Sequence, residues 1–436
     1  TEEVWLKISA QCWTLRIQVY VYRDLFGALR FECVGMQRTE EVEALTRQGC
    51  SVLCLGCPAG ILFGVDYSAW TVGPRFMGVK LLPPGLHYIY WSASAEDVGA
   101  LRSGMFVYMR PKDVTVLRWD PALEELVPLS DADEEARFAD GVRNFDFDGQ
   151  LGPYPLELKD DWAELTRHVS PRLVTKIEPV SKTIRLKSAE YDEKKLDKQV
   201  DRAKTGEDEV EENEDLADQC GMETDQATSQ QHQMHADALE SNSGSGTLFF
   251  SAVPRARKLR GATSVETTRM HMDSSLQLEE MIRVEYGGDE YGVLGELQIA
   301  YVAFLLGQNY DGFQQWRRLL QLLCNCETAA VERPLLFGEL VRAFFAQLSQ
   351  APSDLFGDDL TKDNLMGSTT LSLLELCDTA KAPAKLANRC RKLRELVEQK
   401  FGMSAEDLAL LGEDAPIVVD AHGDDLVALH GINAMD

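Results

Sequence analysis

Cys50, Cys54 and Cys57 stand at C-x3-C-x2-C spacing, and no other residue set in the chain comes as close to a known catalytic loop. In a radical SAM Fe–S enzyme, three thiolates at that spacing hold three irons of a cluster and leave the fourth iron for the cofactor. The competing reading places Cys54 in the core of the strand-like run SVLCL at 51–55, with Cys50 and Cys57 flanking it. Free cysteine is among the most buried residue types, which favours that reading. The motif also precedes a β-rich stretch, whereas the radical enzymes' barrel alternates strands and helices.

The remaining chemical signals are weaker. Cys54-x2-Cys57 has no second CxxC and no paired histidines at the separation a zinc site needs. Cys324 and Cys326 sit at a predicted helix end, where side chains two apart diverge. His232 and His235 lie in a polar tract, and His271 is near it. His87 falls in a strand-like run, the place of a structural histidine with its hydrogen bonds satisfied. Asp66, after Phe63-Gly64-Val65, has the position of a turn aspartate. The chain contains no nucleophile elbow, Walker A loop or G-x-G-x-x-G. The expectation is a protein without catalytic residues, metal or cofactor.

Composition limits the partners. The 436 residues carry a net charge of −27. Phosphate contacts need clustered Lys and Arg, so direct nucleic-acid binding is not expected as the main activity. An acidic chain is suited to a basic protein surface. Ten cysteines without a dense framework read as reduced thiols. No apolar run reaches the roughly 18 residues of a membrane span. Trp5 to Tyr22 alternates apolar and polar residues as a strand does, unlike a signal peptide. Arg255-x-Arg257-Lys258-x-Arg260 has nuclear-localisation composition, and it also offsets neighbouring acid.

The elements that would position these residues fall into blocks. Residues 1–40 form an N-terminal extension of uncertain status, and 41–175 a β-rich domain. In the latter, strand-like runs at 51–55, 78–82, 87–91, 105–109 and 114–119 alternate with Gly and Pro clusters, the spacing of a sandwich or barrel. A helix over 159–169 puts Trp162, Leu165 and Val169 on one face. Residues 176–262 are an acidic linker, and across 187–246 too little apolar surface is present to offset ordering entropy. Residues 263–405 are helical. Phe337, Leu340, Val341, Phe344 and Leu348 form one stripe, and Phe313, Trp316, Leu320 and Leu323 a second. Leu386, Cys390, Leu393, Val397 and Phe401 form a third, closed by Gly402. The tail 406–436 holds one short β-prone run at 413–420, with no sheet of its own to join. The fold class is α+β in two domains: a β-rich sandwich or barrel-like domain, then an all-helical one.

The run 63–91, FGVDYSAWTVGPRFMGVKLLPPGLHYIYW, closely resembles the N-terminal signature of the A1-cistron splicing factor family. Its matching positions include Phe63, Gly64, Asp66, Tyr67, Trp70, Gly73, Pro74, Pro83, Pro84, Gly85 and His87. LGPYP at 151–155 and LGELQ at 294–298, then FLLG at 304–307, continue the resemblance. The tail EDAPIVV at 413–419 is similar to the family's C-terminal end. The family carries no cysteine at positions 50, 54 and 57.

The resemblance implies a VHS-like fold for the helical domain. It also implies binding to pre-mRNA-processing factor eight, through that protein's RNase H-like and Jab/MPN domains. The chain would then hold a U5 snRNP precursor, delay binding of the helicase that replaces it, and serve tri-snRNP assembly in cytoplasm and nucleus. A lone β-prone tail suits strand addition, so Ile417, Val418 and Val419 are the candidate partner-binding residues. The signature residues from Phe63 to Gly85 read chiefly as turn and core. The main alternative is a VHS-like adaptor or scaffold.

Overall fold

Where strands alternate, one face or both must find cover, and the strand Cys50–Leu55 has both faces covered. The computed structural model describes residues 19–23, 29–33, 39–95, 101–185, 246–254, 273–352, 365–379 and 384–403. The chain divides into two compact units, Thr1–Trp162 and Ala163–Asp436.

The first unit holds the strands. β1 (Val19–Arg23) and β2 (Leu29–Cys33) form an antiparallel hairpin. After α1 (Thr39–Gln48) come β3 (Cys50–Leu55), β4 (Leu62–Val65), β5 (Ser68–Thr71), β6 (Gly78–Leu82) and β7 (Gly85–Ser92). Then follow β8 (Ser103–Met109), β9 (Val114–Asp120), β10 (Glu125–Pro128), α2 (Ala132–Arg143) and β11 (Leu151–Pro153). One sheet is mixed, with strand order β10-β9-β3-β6-β11, and the other is antiparallel, with order β5-β4-β7-β8. β3 runs parallel to β9 and antiparallel to β6.

The two sheets share one core. Val52, Cys54, Val79, Leu82, Leu117 and Leu126 from the mixed sheet join Phe63, Val65, Ile89, Trp91, Met105 and Met109 from the other. On the outer face of the mixed sheet, Leu53, Leu55 and Val116 pack with Val142 of α2 and with Leu151. Thus β3 turns Cys50, Val52 and Cys54 inward and Leu53 and Leu55 outward, and both rows are buried. That double burial is why Val52 to Leu55 is continuously apolar, without polar alternation. The N-cap Asp131, accepting from the Asp133 and Glu134 amides, starts α2.

Sequence and structure part at the helix predicted over 159–169. α3 (Lys159–Leu165) is shorter, and α4 (Pro171–Ile177) begins anew. Pro171 disfavours helical geometry at Ser170, and the Ser170 hydroxyl instead caps α4 by accepting from the Leu173 amide. Trp162, Leu165 and Val169 are nonetheless all buried.

The second unit is helical. It contains α5 (Ser275–Glu285), α6 (Gly292–Leu305), α7 (Tyr310–Cys324), α8 (Glu327–Glu332), α9 (Pro334–Gln350), α10 (Leu365–Thr379) and α11 (Ala384–Phe401). Apart from the half-buried Phe313 and Phe401, the residues of the three predicted stripes are buried, on α7, α9 and α11. Gly402, at φ 67°, closes α11 with its amide on the Glu398 carbonyl. Every residue of α6 from Gly292 to Ala303 is buried, so it is the unit's central helix.

The units divide at Trp162, ahead of residue 175. Residues 176–185 and 246–254, inside the expected linker, are placed in the second unit, with Ile184, Leu248 and Ser251 buried. The Arg185 amide donates to the Gly246 carbonyl at 3.2 Å, so the flanks of 186–245 meet. Composition marks where apolar residues stop, but it carries no sign that the chain returns to its starting point.

Gly64 is the tightest place in the antiparallel sheet. A Cβ there would lie 2.1 Å from the Tyr90 ring, and Tyr90 is fully buried and has no room to yield. Gly64→Ala is expected to lower stability by roughly 1–3 kcal/mol, the usual cost of overpacking. Urea unfolding followed by tryptophan fluorescence measures it.

Candidate functional site

The signature run folds around one carboxylate. Asp66 sits in the two-residue turn between β4 and β5 at φ 55°, and it is 1% exposed. Its amide donates to the Tyr88 carbonyl at 2.8 Å, and the Tyr88 amide donates back to Asp66 Oδ1 at 2.9 Å. Oδ2 lies 2.7 Å from His87 Nδ1 and accepts from the Tyr154 hydroxyl at 2.8 Å. His87 Nε2 lies 2.6 Å from the Pro83 carbonyl oxygen. The turn, β7, the Pro-Pro-Gly corner and the LGPYP segment thus converge on Asp66.

An Asp–His pair invites a catalytic reading, and the geometry refuses it. Both imidazole nitrogens face acceptors, so both carry protons, and no lone pair remains to take one from a substrate. Burial alone pushes His87 down, but the Asp66 charge, the Asp66 hydrogen bond and the Pro83 carbonyl outweigh it. The net result is a raised pKa and a buried imidazolium–carboxylate pair.

The sign of the pH effect follows. A folded pKa above the unfolded one gives stabilisation that is complete below the ordinary histidine pKa of about 6.5. That stabilisation is lost as pH rises through the folded value. The unfolding midpoint of the first unit is expected to fall on going from mildly acidic to mildly alkaline buffer. His87→Gln should flatten that slope, and Asp66→Asn should destabilise by about 3–5 kcal/mol by leaving the imidazolium unpaired. Calorimetric scans across pH read both.

The helical unit holds a second network. Glu296 lies on α6 and is 0% exposed. Its Oε1 accepts from the Ser251 amide at 2.8 Å and from Gln315 Nε2 at 2.8 Å. Its Oε2 accepts from the Ser251 hydroxyl at 2.7 Å and from the Tyr286 hydroxyl at 2.9 Å. Lys176 Nζ donates to the Ser251 hydroxyl at 2.8 Å and pairs with Glu285 at 2.7 Å. Burial and the Glu296 charge hold the Tyr286 phenol well above its ordinary pKa, so it stays a donor.

Two residues on, Gln298 Oε1 accepts from the His168 amide at 2.9 Å. Gly295 lets that backbone approach, because a Cβ there would lie 2.5 Å from the His168 carbonyl oxygen. LGELQ is therefore a docking address for residues 164–178 and 246–254. Ser251, Tyr286 and Gln315 were not singled out from the sequence. The available signal was a Glu and a Gln inside the otherwise apolar VLGELQIAYVAFL.

A third cluster is partly exposed. Glu164 takes Arg342 in a two-pronged pair, and Glu339 faces Arg389 at 3.1 Å and His168 Nε2 at 3.3 Å. These pairs tie Glu164 and His168 to α9, and α9 to α11, within the second unit.

The remaining candidates are placed as follows. Phe63, Tyr67 and Asp66 are buried, and Trp70 is partly buried against the sandwich core. Gly73 and Pro74 are exposed, Pro83 and Gly85 half-buried, and Pro84 exposed. Cys50 and Cys54 are buried, Cys57 is half-buried, and Cys324 and Cys326 are buried. Burial pushes the Cys50 thiol up to about 11 even though its neighbourhood supplies hydrogen bonds. Among the described residues no three His, Cys, Asp or Glu gather as metal ligands. No helix among them is long and apolar enough to cross a membrane. Ile417, Val418, Val419, His232, His235, His271 and the basic patch 255–260 lie outside the described residues.

A sheet-rich unit followed by an all-helical one, each centred on a buried carboxylate, defines a two-unit α+β protein whose internal polar residues are spent on holding segments in place. Comparison with known proteins gives the family. Residues 48–179 match the AAR2 N-terminal domain, and residues 250–406 match the AAR2 C-terminal repeat region. The chain is 35% identical over 393 residues to the mouse protein AAR2 homolog, covering 88% of this chain and 97% of the relative. It is 34% identical over 387 residues to the human protein AAR2 homolog, covering 87% and 96%. The Caenorhabditis elegans protein AAR2 homolog is 29% identical over 373 residues, covering 84% and 98%. The chain belongs to the AAR2 family, the A1-cistron splicing factors, and its function is splicing-related.

Glu296→Ala takes this acceptor from the Ser251 amide and hydroxyl and the Tyr286 hydroxyl, and leaves Gln315 Nε2 with the Ser251 carbonyl. A loss on the order of 3 kcal/mol is expected, and hydrogen exchange at Ser251 should accelerate more than exchange in α11. Hydrogen-exchange mass spectrometry of the full chain separates this local release from global unfolding.

Proposed function

We propose that this protein is a non-enzymatic assembly factor that binds pre-mRNA-processing factor eight in a U5 snRNP precursor and delays binding of the late helicase. The reading is carried by one observation: the family match spans both units, from the sandwich to the last described helix. The partner comes from the sequence resemblance, which extends to the EDAPIVV tail at 413–419. Ile417, Val418 and Val419 serve as the partner-binding strand, whose main-chain hydrogen bonds extend a sheet of the partner. The net charge of −27 suits a basic protein face and speeds the encounter. Its proposed places of work are the cytoplasm and the nucleus. The buried networks support a role by contact, since His87 and Asp66 have no free atom to offer a substrate.

Deleting residues 413–436 should weaken the complex by at least about 100-fold, the loss of a short strand's main-chain pairing and its apolar anchors. Calorimetry with the RNase H-like and Jab/MPN domains measures it, and unchanged affinity overturns the strand assignment. Co-purification from extract tests the wider reading. The large splicing protein and U5 components without the late helicase are expected, whereas coat or cargo proteins would favour the adaptor reading.

A further inference from the structure

One cavity of the first unit is separate from the Asp66 network and gathers cations in an otherwise acidic chain. Its volume is about 540 Å³, within the roughly 300–1,000 Å³ usual for small-molecule sites. The ends of α1, β6 and α2 and the starts of β3 and β9 surround it. Arg47, Lys80, Lys112 and Arg143 line it, against one carboxylate, Asp148. The whole chain carries −27. Lys80 pairs with Asp148, and its Nζ also donates to the Asp148 carbonyl at 3.0 Å. Arg47 reaches Glu43 at 3.4 Å and Arg143 reaches Asp140 at 2.8 Å, both at exposed positions. Such exposed pairs hold weakly, so both guanidiniums stay available to a stronger anion. Lys112 is exposed and forms no ion pair among the described residues.

Backbone conformation singles out the same cavity. Leu81, Lys112 and Phe145 line it, and each has a left-handed φ, of 64°, 68° and 67°. Leu81 is the extra residue of a bulge, since Lys80 pairs with Ser51 and Leu82 with Cys50. Phe145 ends α2 where glycine is usual. Its amide donates to the Val142 carbonyl at 3.0 Å, and the Asp146 amide to the Gly141 carbonyl at 2.9 Å, the two bonds of a glycine-type helix stop. A bulky residue is disfavoured there, and Phe145 gains no core packing in return, being 63% exposed. Strained positions of this kind collect at ligand clamps.

We propose that this cavity binds a small polyphosphate of the nucleoside triphosphate class. A triphosphate carries several negative charges in a short span, and Lys80, Lys112 and the two guanidiniums supply positive charge around one space. Arginine forks match phosphate oxygens two at a time, and lysines act as point charges beside them. Val114, Val142 and Leu151 give the cavity an apolar wall. Phe145 offers the exposed ring on which a base stacks, which explains a phenylalanine where glycine would cost less.

Isothermal titration calorimetry of the full chain with ATP, tripolyphosphate and adenosine tests the site. One ATP per chain is expected, with a Kd on the order of 10–100 μM at low salt. Adenosine should give no binding heat, and tripolyphosphate should bind at least about threefold more weakly than ATP. Replacing Arg47, Lys112 and Arg143 together by Gln should weaken ATP at least about tenfold. All three are exposed, so the fold is kept. Arg283→Gln, on the exposed surface of α5, should change nothing. Phe145→Gly should bring ATP down to the tripolyphosphate level and raise the thermal midpoint, because glycine relieves the left-handed position. Affinity lost in a more stable chain is not misfolding. Absence of ATP binding overturns the proposal, as does an ATP affinity that the triple variant leaves unchanged. Equal binding of ATP and tripolyphosphate, blind to Phe145→Gly, overturns the nucleoside assignment. A single-stranded RNA that the same residues hold more tightly than ATP overturns the choice of a free nucleotide.

Discussion

A helix covered on every side has no solvent-facing stripe, so any polar side chain on it must bond to whatever does the covering. α6 is such a helix, and Glu296 and Gln298 are its polar residues in the buried stretch Gly292–Ala303, apart from the Tyr301 hydroxyl, which donates to the Gln347 carbonyl. Glu296 offers two oxygens and receives four donors, and two of the four come from Ser251. The segment 246–254 has no helix or strand of its own, and this carboxylate holds it together with the Phe249–Ile177 and Arg185–Gly246 backbone bonds and the Lys176 and Gln315 bonds to Ser251. Gln298 does the same for the turn at His168. The helical unit thus depends on an apolar helix carrying two polar side chains. Their cost of burial is offset only when the neighbouring segments are in place.

The sandwich unit solves the same problem in a different element. Asp66 occupies a left-handed turn position, a conformation that aspartate tolerates better than most residues. From there its carboxylate reaches a strand amide, an imidazolium and a phenol belonging to three separate segments. Removing any one donor leaves a buried charge undercompensated, so the segments are specified together. Glycine makes the approaches possible in both units. Gly64 accepts the Tyr90 ring, and Gly295 accepts the His168 carbonyl. Gly295 adjoins Glu296 in sequence, and Gly64 lies two residues before Asp66.

Much of this architecture was legible in the residues. β3, β6, β7, β8 and β9 sit on the runs that periodicity and turn residues picked out, and α7, α9 and α11 sit on the three apolar stripes. Short or polar elements were not legible. β4, β5, β10 and β11 are four residues or fewer, too short for periodicity to register. α2 reads ADEEARFADGVR, and its two buried residues, Ala139 and Val142, are too few to mark an apolar face. His87 was legible as a structural histidine. The partners of Glu296 were not, because Ser251 and Gln315 lie 45 residues before it and 19 after it and share no spacing with it. Contacts set by tertiary return leave no local pattern to read.

The signature residues separate into two sets when burial is applied to them. Phe63, Gly64, Asp66, Tyr67 and His87 are accounted for by core packing and by the Asp66 network. The Pro83 carbonyl accepts from the second imidazole nitrogen. Gly73, Pro74 and Pro84 are not accounted for in that way. Nothing lies within 4 Å of a Cβ placed on Gly73, and both prolines face solvent. A proline in an exposed turn lowers the entropy of the unfolded chain, which rationalises Pro74 and Pro84 without any partner. Gly73 has no such explanation, since an alanine there would meet no neighbour and would take nothing from the core. Within the run 63–91, packing therefore explains the buried residues one by one, and the residue it leaves unexplained lies on an exposed turn between β5 and β6.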